Sequence, residues 1–187
     1  ICFNTAGTYT VTLTASNGNC SLTATQTITV NSPNATAGSN SPICEGTTLN
    51  LTSSGGTSYS WTGPNGFTPS SQNPSISNVT TSASGTYTVT VTANGCSSIA
   101  TTSVTVNPKP TVDATASSYI ICSGTSTDLT ATGATTYSWT PAGSLNNSAI
   151  ENPVASPTTT TTYTVTGTND YGCTNTYTVS ITVNQTP

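Results

Sequence analysis

The 187-residue chain carries five acidic residues and one lysine as its only charged side chains, and it contains neither arginine nor histidine. A single cation excludes a nucleic-acid footprint and attraction to an anionic membrane surface, because both need clustered Lys and Arg. The absence of histidine excludes Ser-His-Asp and Cys-His catalysis, and no apolar run approaches the roughly 20 residues that a membrane-spanning helix requires.

The first thirty residues predict a β-hairpin. Residues 8–14 alternate Thr with Tyr, Val and Leu, and a return strand ends at residues 27–30. Threonine is β-branched and favours strands, whereas Gly and Asn favour turns. An Asn17-Gly18 pair lies between the two strands, and Asn-Gly is the strongest short-range hairpin signal.

Two longer segments repeat this pattern and add strands ahead of it. Leu, Trp, Val and Tyr alternate with Thr or Ser at period two, which predicts strands that bury one face in a two-sheet sandwich. The whole chain is therefore predicted to be all-β. The strands are predicted at residues 48–52, 58–62, 87–92, 103–106, 127–130, 136–140, 163–168 and 177–183.

An internal duplication organises the chain. The unit Cys44…Trp61…Tyr87…Cys96 recurs as Cys122…Trp139…Tyr163…Cys173, at an offset of 76 to 78 residues. Residues 1–32 match only the back half of this unit, and Pro-containing connectors follow each repeat. We therefore expect tandem sandwiches in an extended bead-on-rod array: the C-terminal part of one in 1–32, and complete ones in 33–108 and 109–187. Because the chain lacks Met, we also expect it to be internal to a longer protein or processed.

The residue pattern of these repeats resembles that of a known family. Phe3 to Leu13 is similar to the tail of a polycystic-kidney-disease (PKD) domain, and Ile43-Cys44-Glu45-Gly46, followed by Tyr-Ser-Trp and a late Cys, resembles the PKD/Ig-like repeats of large bacterial surface proteins of the Bacteroidota type. The resemblance implies immunoglobulin-like sandwiches in an adhesin or fibre. The acidic Trp-Asp-Phe-Gly-Asp-Gly segment usual in PKD domains is absent, so no role credited to its carboxylates is carried over.

The aromatic residues at equivalent places are expected to anchor the cores. Trp61 and Trp139 follow an alternating Tyr-Ser pair and are predicted to point inward rather than to stack a sugar. Tyr9, Tyr87 and Tyr163 are predicted as corner residues that tie their hydroxyls to nearby backbone. Phe67 and Tyr171 are the aromatics expected to be exposed.

The reactive groups do not suggest catalysis. No carboxylate occupies a matching place in both complete repeats: Glu45 aligns with Ser123, and Asp128 with Asn50. The one local oxygen cluster, Asn169-Asp170, is interpreted as a solvated turn rather than as a calcium site. We therefore expect no enzyme activity, no metal and no cofactor.

Six cysteines at repeat-equivalent places suggest disulfides and an extracellular or cell-surface location. The sequence leaves two connectivities open. One pairs cysteines within each repeat: Cys2–Cys20, Cys44–Cys96 and Cys122–Cys173. The other staples successive repeats, as in Cys2–Cys96 and Cys44–Cys173.

The expected function is a structural spacer or stalk in an extracellular fibre or adhesin. Its partners would be neighbouring repeats and, in a filament, identical chains. The exposed sheet half in 1–32 would be completed by upstream residues or by a strand from a neighbour. The alternative is a carbohydrate- or protein-binding Ig-like module, possibly attached to a secreted enzyme, with its site in the loops 63–71 and 141–153, which differ most between the repeats. No nucleic-acid partner and no membrane insertion are expected.

Overall fold

The computed structural model describes residues 6–185 and divides between Val106 and Asn107 into two compact units. Within the described residues the regular structure consists of strands and two single-turn 3-10 helices. The predictions that concern Cys2 and Phe3 lie outside the described residues. The all-β expectation is confirmed.

The first unit begins with a two-stranded antiparallel sheet formed by β1 (Gly7–Ser16) and β2 (Ser21–Val30). Tyr9 faces Ile28 across the ladder, and Ala15 faces Leu22. The turn is longer than the two residues predicted from Asn17-Gly18, because it comprises residues 17–20. The Asn17 side-chain oxygen accepts the backbone N–H of Cys20 at 2.9 Å, which closes the wider turn.

Two sheets follow in the first unit and form a sandwich. Their strand orders are β3-β5-β7 and β6-β8-β9, and the short β4 pairs with β10. The 3-10 helices span Pro64–Gly66 and Thr81–Ala83. The strands are β3 (Thr36–Ser39), β4 (Ile43–Cys44), β5 (Leu49–Ser54), β6 (Ser58–Thr62), β7 (Ser75–Ile76), β8 (Gly85–Ala93), β9 (Cys96–Val104) and β10 (Val106–Asn107).

The second unit contains the same arrangement, with one continuous strand in place of β9 and β10. Its sheets have the orders β11-β13-β15 and β12-β17-β16-β14, and β12 runs parallel to β17. The strands are β11 (Asp113–Ala116), β12 (Ile120–Cys122), β13 (Thr127–Thr132), β14 (Thr136–Thr140), β15 (Val154–Ala155), β16 (Thr161–Thr168) and β17 (Thr174–Asn184).

Each sandwich encloses one apolar core built from alternate strand residues. In β5, Leu49 and Leu51 are buried while Asn50 and Thr52 are exposed, as period two requires. The predicted separation of apolar and hydroxyl faces is confirmed in both units. The largest buried side chains are Trp61, Tyr87, Leu49, Leu51, Val89 and Val91 in the first core, and Trp139, Tyr163, Leu129, Val165 and Ile181 in the second.

Glycine is required in the turn between the two sheets of each sandwich. Gly55 has a φ of +108°, and Gly133 has a φ of +88°. A Cβ at Gly55 would collide with the Asn34 carbonyl oxygen, and one at Gly133 would collide with the Thr111 carbonyl oxygen. Only a residue without a side chain allows the backbone to turn there while passing this close to the preceding segment.

The Asn94-Gly95 turn between β8 and β9 has the predicted form. Asn94 has a φ of +51° and Gly95 a φ of +80°, so both central residues are left-handed, as a type I′ turn requires. Because the turn has two residues, it fixes the register that places Tyr87 opposite Thr102 and Val89 opposite Ala100. The side chains that close the core are thereby kept on one face.

Candidate functional surfaces

The two tryptophans lie in the cores and hold the loops that follow them. Trp61 is fully buried and its indole N–H donates to the Gln72 carbonyl at 3.3 Å. Trp139 is 1 % exposed and its indole N–H donates to the Ile150 carbonyl at 3.0 Å. With both ring faces covered and both N–H groups satisfied, neither indole is available to stack a sugar. The sequence contains no signal that identifies these two carbonyl partners.

Loop 63–71 is fixed at its end by a polar network. Ser53 Oγ donates to the Gln72 carbonyl at 2.8 Å, and Gln72 Nε2 donates back to the Ser53 carbonyl at 2.8 Å. The Asn73 side-chain oxygen accepts the Ser53 N–H at 2.9 Å. These bonds satisfy the polar groups around Ser53, which is buried, and so hold the loop in one conformation.

Loop 141–153 reaches the equivalent place by different contacts. The Asn146 N–H donates to the Val154 carbonyl, and the Val154 N–H donates to Asn146 Oδ1 at 2.9 Å. Leu145 is half-buried and packs against the core of its unit. The two loops therefore share a tryptophan anchor but present different outward residues, which is the arrangement that would allow them to differ in specificity.

The three tyrosines predicted as corner residues have three different environments. Tyr87 is fully buried, and its hydroxyl donates to the Ala83 carbonyl at 2.9 Å, as the corner prediction requires. Burial raises the pKa of Tyr87 above its usual value of 10. Tyr163 is also fully buried, but its hydroxyl pairs with the Ser144 side chain, so the prediction of a backbone partner is wrong there. Tyr9 is only half-buried.

One aromatic expected at the surface is partly covered. Phe67 is half-buried and packs edge-to-face on Tyr87, with ring centroids 5.4 Å apart and an interplanar angle of 76°. The prediction that Phe67 is exposed is therefore wrong, because Tyr87 offers it a ring at the corner of the sandwich. Tyr171 is 66 % exposed, as expected.

The cysteines are in unequal states. Cys44 and Cys173 are disulfide-bonded, whereas Cys20 and Cys122 are free and exposed. The predicted pairing Cys122–Cys173 therefore does not form, so within-repeat pairing is not general, and the predicted pairings that involve Cys2 lie outside the described residues. Cys96 is buried at the start of β9.

The carboxylates are dispersed. Asp113, Asp128, Glu151 and Asp170 are exposed and Glu45 is half-buried. Asp170 accepts the Thr135 hydroxyl at 2.7 Å, and Asn169 Oδ1 accepts the N–H groups of Tyr171 and Cys173. The Asn169 oxygen is thus engaged within its own turn, and Asp170 binds the Thr135 hydroxyl ahead of β14. Within residues 6–185, no group of three or more His, Cys, Asp or Glu side chains gathers into a metal site.

The outer face of the β14–β16–β17 sheet carries hydroxyl groups alone along three registered rows. In each row one residue comes from each strand, and all nine are Thr or Ser. The rows are Thr136–Thr168–Thr174, Ser138–Thr166–Thr176 and Thr140–Thr164–Thr178. This face is fully polar without charge, so it remains hydrated while the opposite face closes the core.

The hairpin β1–β2 presents an apolar face to solvent. Leu13 is 69 % exposed and Leu22 is 78 % exposed, and Val11 and Ile28 are also exposed. The opposite face consists of threonine along most of its length, since Thr8, Thr10, Thr12 and Thr14 pair with Thr29, Thr27, Thr25 and Thr23. The hairpin is thus amphipathic but lacks a second sheet among the described residues.

Comparison with known protein families finds a match in the first sandwich. The family model for the PKD domain matches residues 34–108. No curated protein matches the sequence. No helix in residues 6–185 is long and apolar enough to cross a membrane.

Solved structures show similarity at low identity. Murine CEACAM1b is 13 % identical with a TM-score of 0.38, covering 80 % of this chain and 100 % of that one. Three N-terminal domains of the bacteriophage RB49 Highly Immunogenic Outer Capsid protein are 16 % identical with a TM-score of 0.37, covering 81 % of this chain and 59 % of that one. The amphioxus IgVJ-C2 molecule is 19 % identical with a TM-score of 0.34, covering 74 % of this chain and 97 % of that one. With TM-scores this low, none of them bears on the function of this chain.

Proposed function

We propose that this chain is a spacer segment of tandem Ig/PKD-like sandwiches in an extracellular fibre or adhesin of the Bacteroidota type. The observation that carries the proposal is that each of the two units has a tryptophan-centred core of the same design, while the acidic groups are dispersed and differ between the units. A repeated scaffold without a repeated reactive group favours spacing over chemistry.

The mechanical basis of this role lies in the strand ladders. The pairs β8–β9 and β16–β17 are held by long antiparallel registers of nine and eight residue pairs. Antiparallel ladders of this length resist separation when load is applied along the strands, since many bonds must break together. Pro108 and Pro110 stiffen the connector between the repeats, because proline fixes φ and cannot continue a strand.

We also propose an extracellular location and partners of the same kind as the chain itself. A disulfide-bearing, nearly uncharged domain belongs outside the cytosol. The partners would be neighbouring repeats and, in a filament, identical chains. We propose no catalytic role and no nucleic-acid or membrane partner, since the chain has one cation and no histidine.

The test is electron microscopy of the native parent particle, in negative stain, with and without reductant. A spacer predicts long beaded fibres, and deletion of residues 109–187 should shorten each fibre by one bead while ligand attachment is retained. If fibres loosen in reductant, disulfides between beads contribute to their stiffness. Short separate particles would contradict the proposal.

A binding module is the second candidate, favoured by the fixed loops. Loops 63–71 and 141–153 are held by hydrogen bonds to the sandwich and differ in sequence, and Tyr171 adds an exposed ring. The two candidates separate when loop 141–153 is replaced by the loop 63–71 sequence. If adhesion is lost while fibre length is unchanged, binding replaces spacing as the main role.

A further inference from the structure

The feature that the spacer role leaves unexplained is the exposed apolar face of the β1–β2 hairpin. Because cross-strand partners share a face, the register places one set of side chains together: Tyr9, Val11, Leu13, Ala15, Leu22, Ala24, Gln26 and Ile28. We call this set the apolar hairpin face. It carries no charge, and contiguous exposed apolar surface on a soluble protein marks an interaction site.

The same chain contains two covered versions of this face. Tyr9 and Val11 correspond to Tyr87 and Val89 in the first sandwich, and both of those residues are fully buried. They also correspond to Tyr163 and Val165 in the second sandwich, which are fully buried as well. The same inward residues therefore occur three times, and within residues 6–185 the hairpin is the copy that lacks a covering sheet.

Leucine and tryptophan side chains cover the equivalent face in both sandwiches. In the first, Leu49, Leu51 and Trp61 pack on the β8 face. In the second, Leu129 and Trp139 pack on the β16 face. These residues come from the part of the repeat that precedes the hairpin, namely a Leu-rich strand and a tryptophan strand.

We propose that the apolar hairpin face docks the front half of a PKD-like repeat, a segment with the pattern of residues 34–84, in which Glu45 is the only charged residue. Its tryptophan strand would pair with the edge of β1, which among the described residues has β2 as its one neighbour. Strand addition of this kind combines backbone bonds with side-chain pockets.

The register of the first sandwich specifies the contacts. There, Trp61 lies opposite Val89 and Tyr59 lies opposite Val91. Transferred to the equivalent hairpin positions, the incoming tryptophan lies opposite Val11 and the incoming tyrosine opposite Leu13.

A second copy of this chain does not fit as the occupant. Its front-half residues Leu49, Trp61, Leu129 and Trp139 are at most 1 % exposed, because they already cover their own hairpins. A second copy could offer them only by unfolding a complete sandwich. Face-to-face pairing of two hairpins remains as an outcome that the test must separate.

The experiment grafts residues 34–84 directly ahead of Gly7, so that Ser84 precedes Gly7 as it precedes Gly85 in the natural repeat. Hydrogen exchange is then measured at the amides of residues 7–30 in the unaltered chain and in the chimera. A hairpin that joins a cooperative unit should exchange about 100-fold more slowly or better. A second chimera with a short Gly/Ser linker at the junction relaxes any strain in the direct join.

Matched variants decide between docking and a general effect. Leu13→Asp lies on the apolar hairpin face and should abolish the protection in both chimeras. Thr12→Asp is its neighbour on the threonine face and should leave most of the protection in place.

Three results would overturn the proposal. The first is unchanged exchange in both chimeras, and the second is equal loss from the two aspartate variants. The third is a hairpin that is already protected in the unaltered chain, together with a dimer mass by light scattering, since the occupant would then be a second copy.

Discussion

The hairpins β1–β2 and β8–β9 have nearly the same sequence pattern and opposite burial. Gly7-Thr8-Tyr9-Thr10-Val11 repeats as Gly85-Thr86-Tyr87-Thr88-Val89, and both hairpins form continuous antiparallel ladders. Yet Val89 is fully buried while Val11 is 37 % exposed. Local pattern is therefore sufficient for the strand, the ladder and the separation of faces, whereas burial requires a second sheet from elsewhere in sequence.

Loss of a buried tryptophan should have the largest effect on stability, and the hairpin has no equivalent of this residue. Trp61→Ala removes the centre of the first core and its bond to Gln72, and should lower the free energy of unfolding of that sandwich by about 3–5 kcal/mol. Urea unfolding followed by the fluorescence of Trp139 reports the second sandwich separately, and it should change little. A loss of less than about 1 kcal/mol in the first sandwich would contradict its assignment as a core residue.

A smaller contrast compares the same substitution in the two hairpins. Val89→Ala leaves a cavity in a closed core and should cost about 1.5–3 kcal/mol. Val11→Ala removes an exposed side chain and should stay within about 0.5 kcal/mol. Equal costs, measured by urea unfolding of the two variants, would mean that the hairpin face is covered in solution.

A third contrast concerns turn glycines. Gly133→Ala forces a Cβ toward the Thr111 carbonyl at positive φ, and should destabilise the second sandwich by about 1–3 kcal/mol. Gly18 also has positive φ, but nothing lies within 4 Å of its Cβ position, so Gly18→Ala should have the smaller effect. Thermal unfolding of both variants provides the measurement, and an unchanged midpoint for Gly133→Ala would rule out the close approach.

The smallest predicted effect is a pH dependence at Tyr87. The raised pKa means that the unfolded chain ionises this tyrosine first, near its usual value of 10. The contribution of this tyrosine to the free energy of unfolding is fully present below about pH 10, and it is lost as the pH rises through the pKa of the folded state. Tyr87→Phe should lose about 1 kcal/mol at neutral pH, because the bond to Ala83 is lost.

The loss of stability at alkaline pH provides the control for this prediction. In the unaltered protein, the free energy of unfolding of the first sandwich should fall above about pH 10 more steeply than in the Tyr87→Phe variant. Tyr171→Phe, at an exposed position, should retain the full slope. A slope that is the same in the Tyr87→Phe variant and in the unaltered protein would show that burial does not shift the pKa of this hydroxyl.

Sequence reasoning predicted much of the fold because its signals are local. Alternation located the strands around Trp61 and Trp139, and Asn94-Gly95 predicted a two-residue turn. The environment of a residue is harder to predict when its partner is distant in sequence. Phe67 was expected to be exposed because nothing near it in sequence indicates the Tyr87 ring.

Details of the candidate surfaces also depend on contacts that have no sequence signature. The Ser144 partner of Tyr163 comes from a loop that differs between the repeats, so the corner pattern of Tyr87 could not be transferred. The bonds from the two indoles to Gln72 and Ile150 are made to backbone carbonyls, which any residue could supply. The free state of Cys122 likewise has no signal in the sequence, because Cys122 occupies the same place in its repeat as the disulfide-bonded Cys44.

Native-state hydrogen exchange on the intact chain, at concentrations where it is a monomer, would show whether burial of this strand pattern depends on a second sheet. We predict slow exchange in β8–β9 and β16–β17, with protection close to that of global unfolding, and fast exchange throughout β1–β2. Equal protection in all three hairpins of the monomer would contradict it.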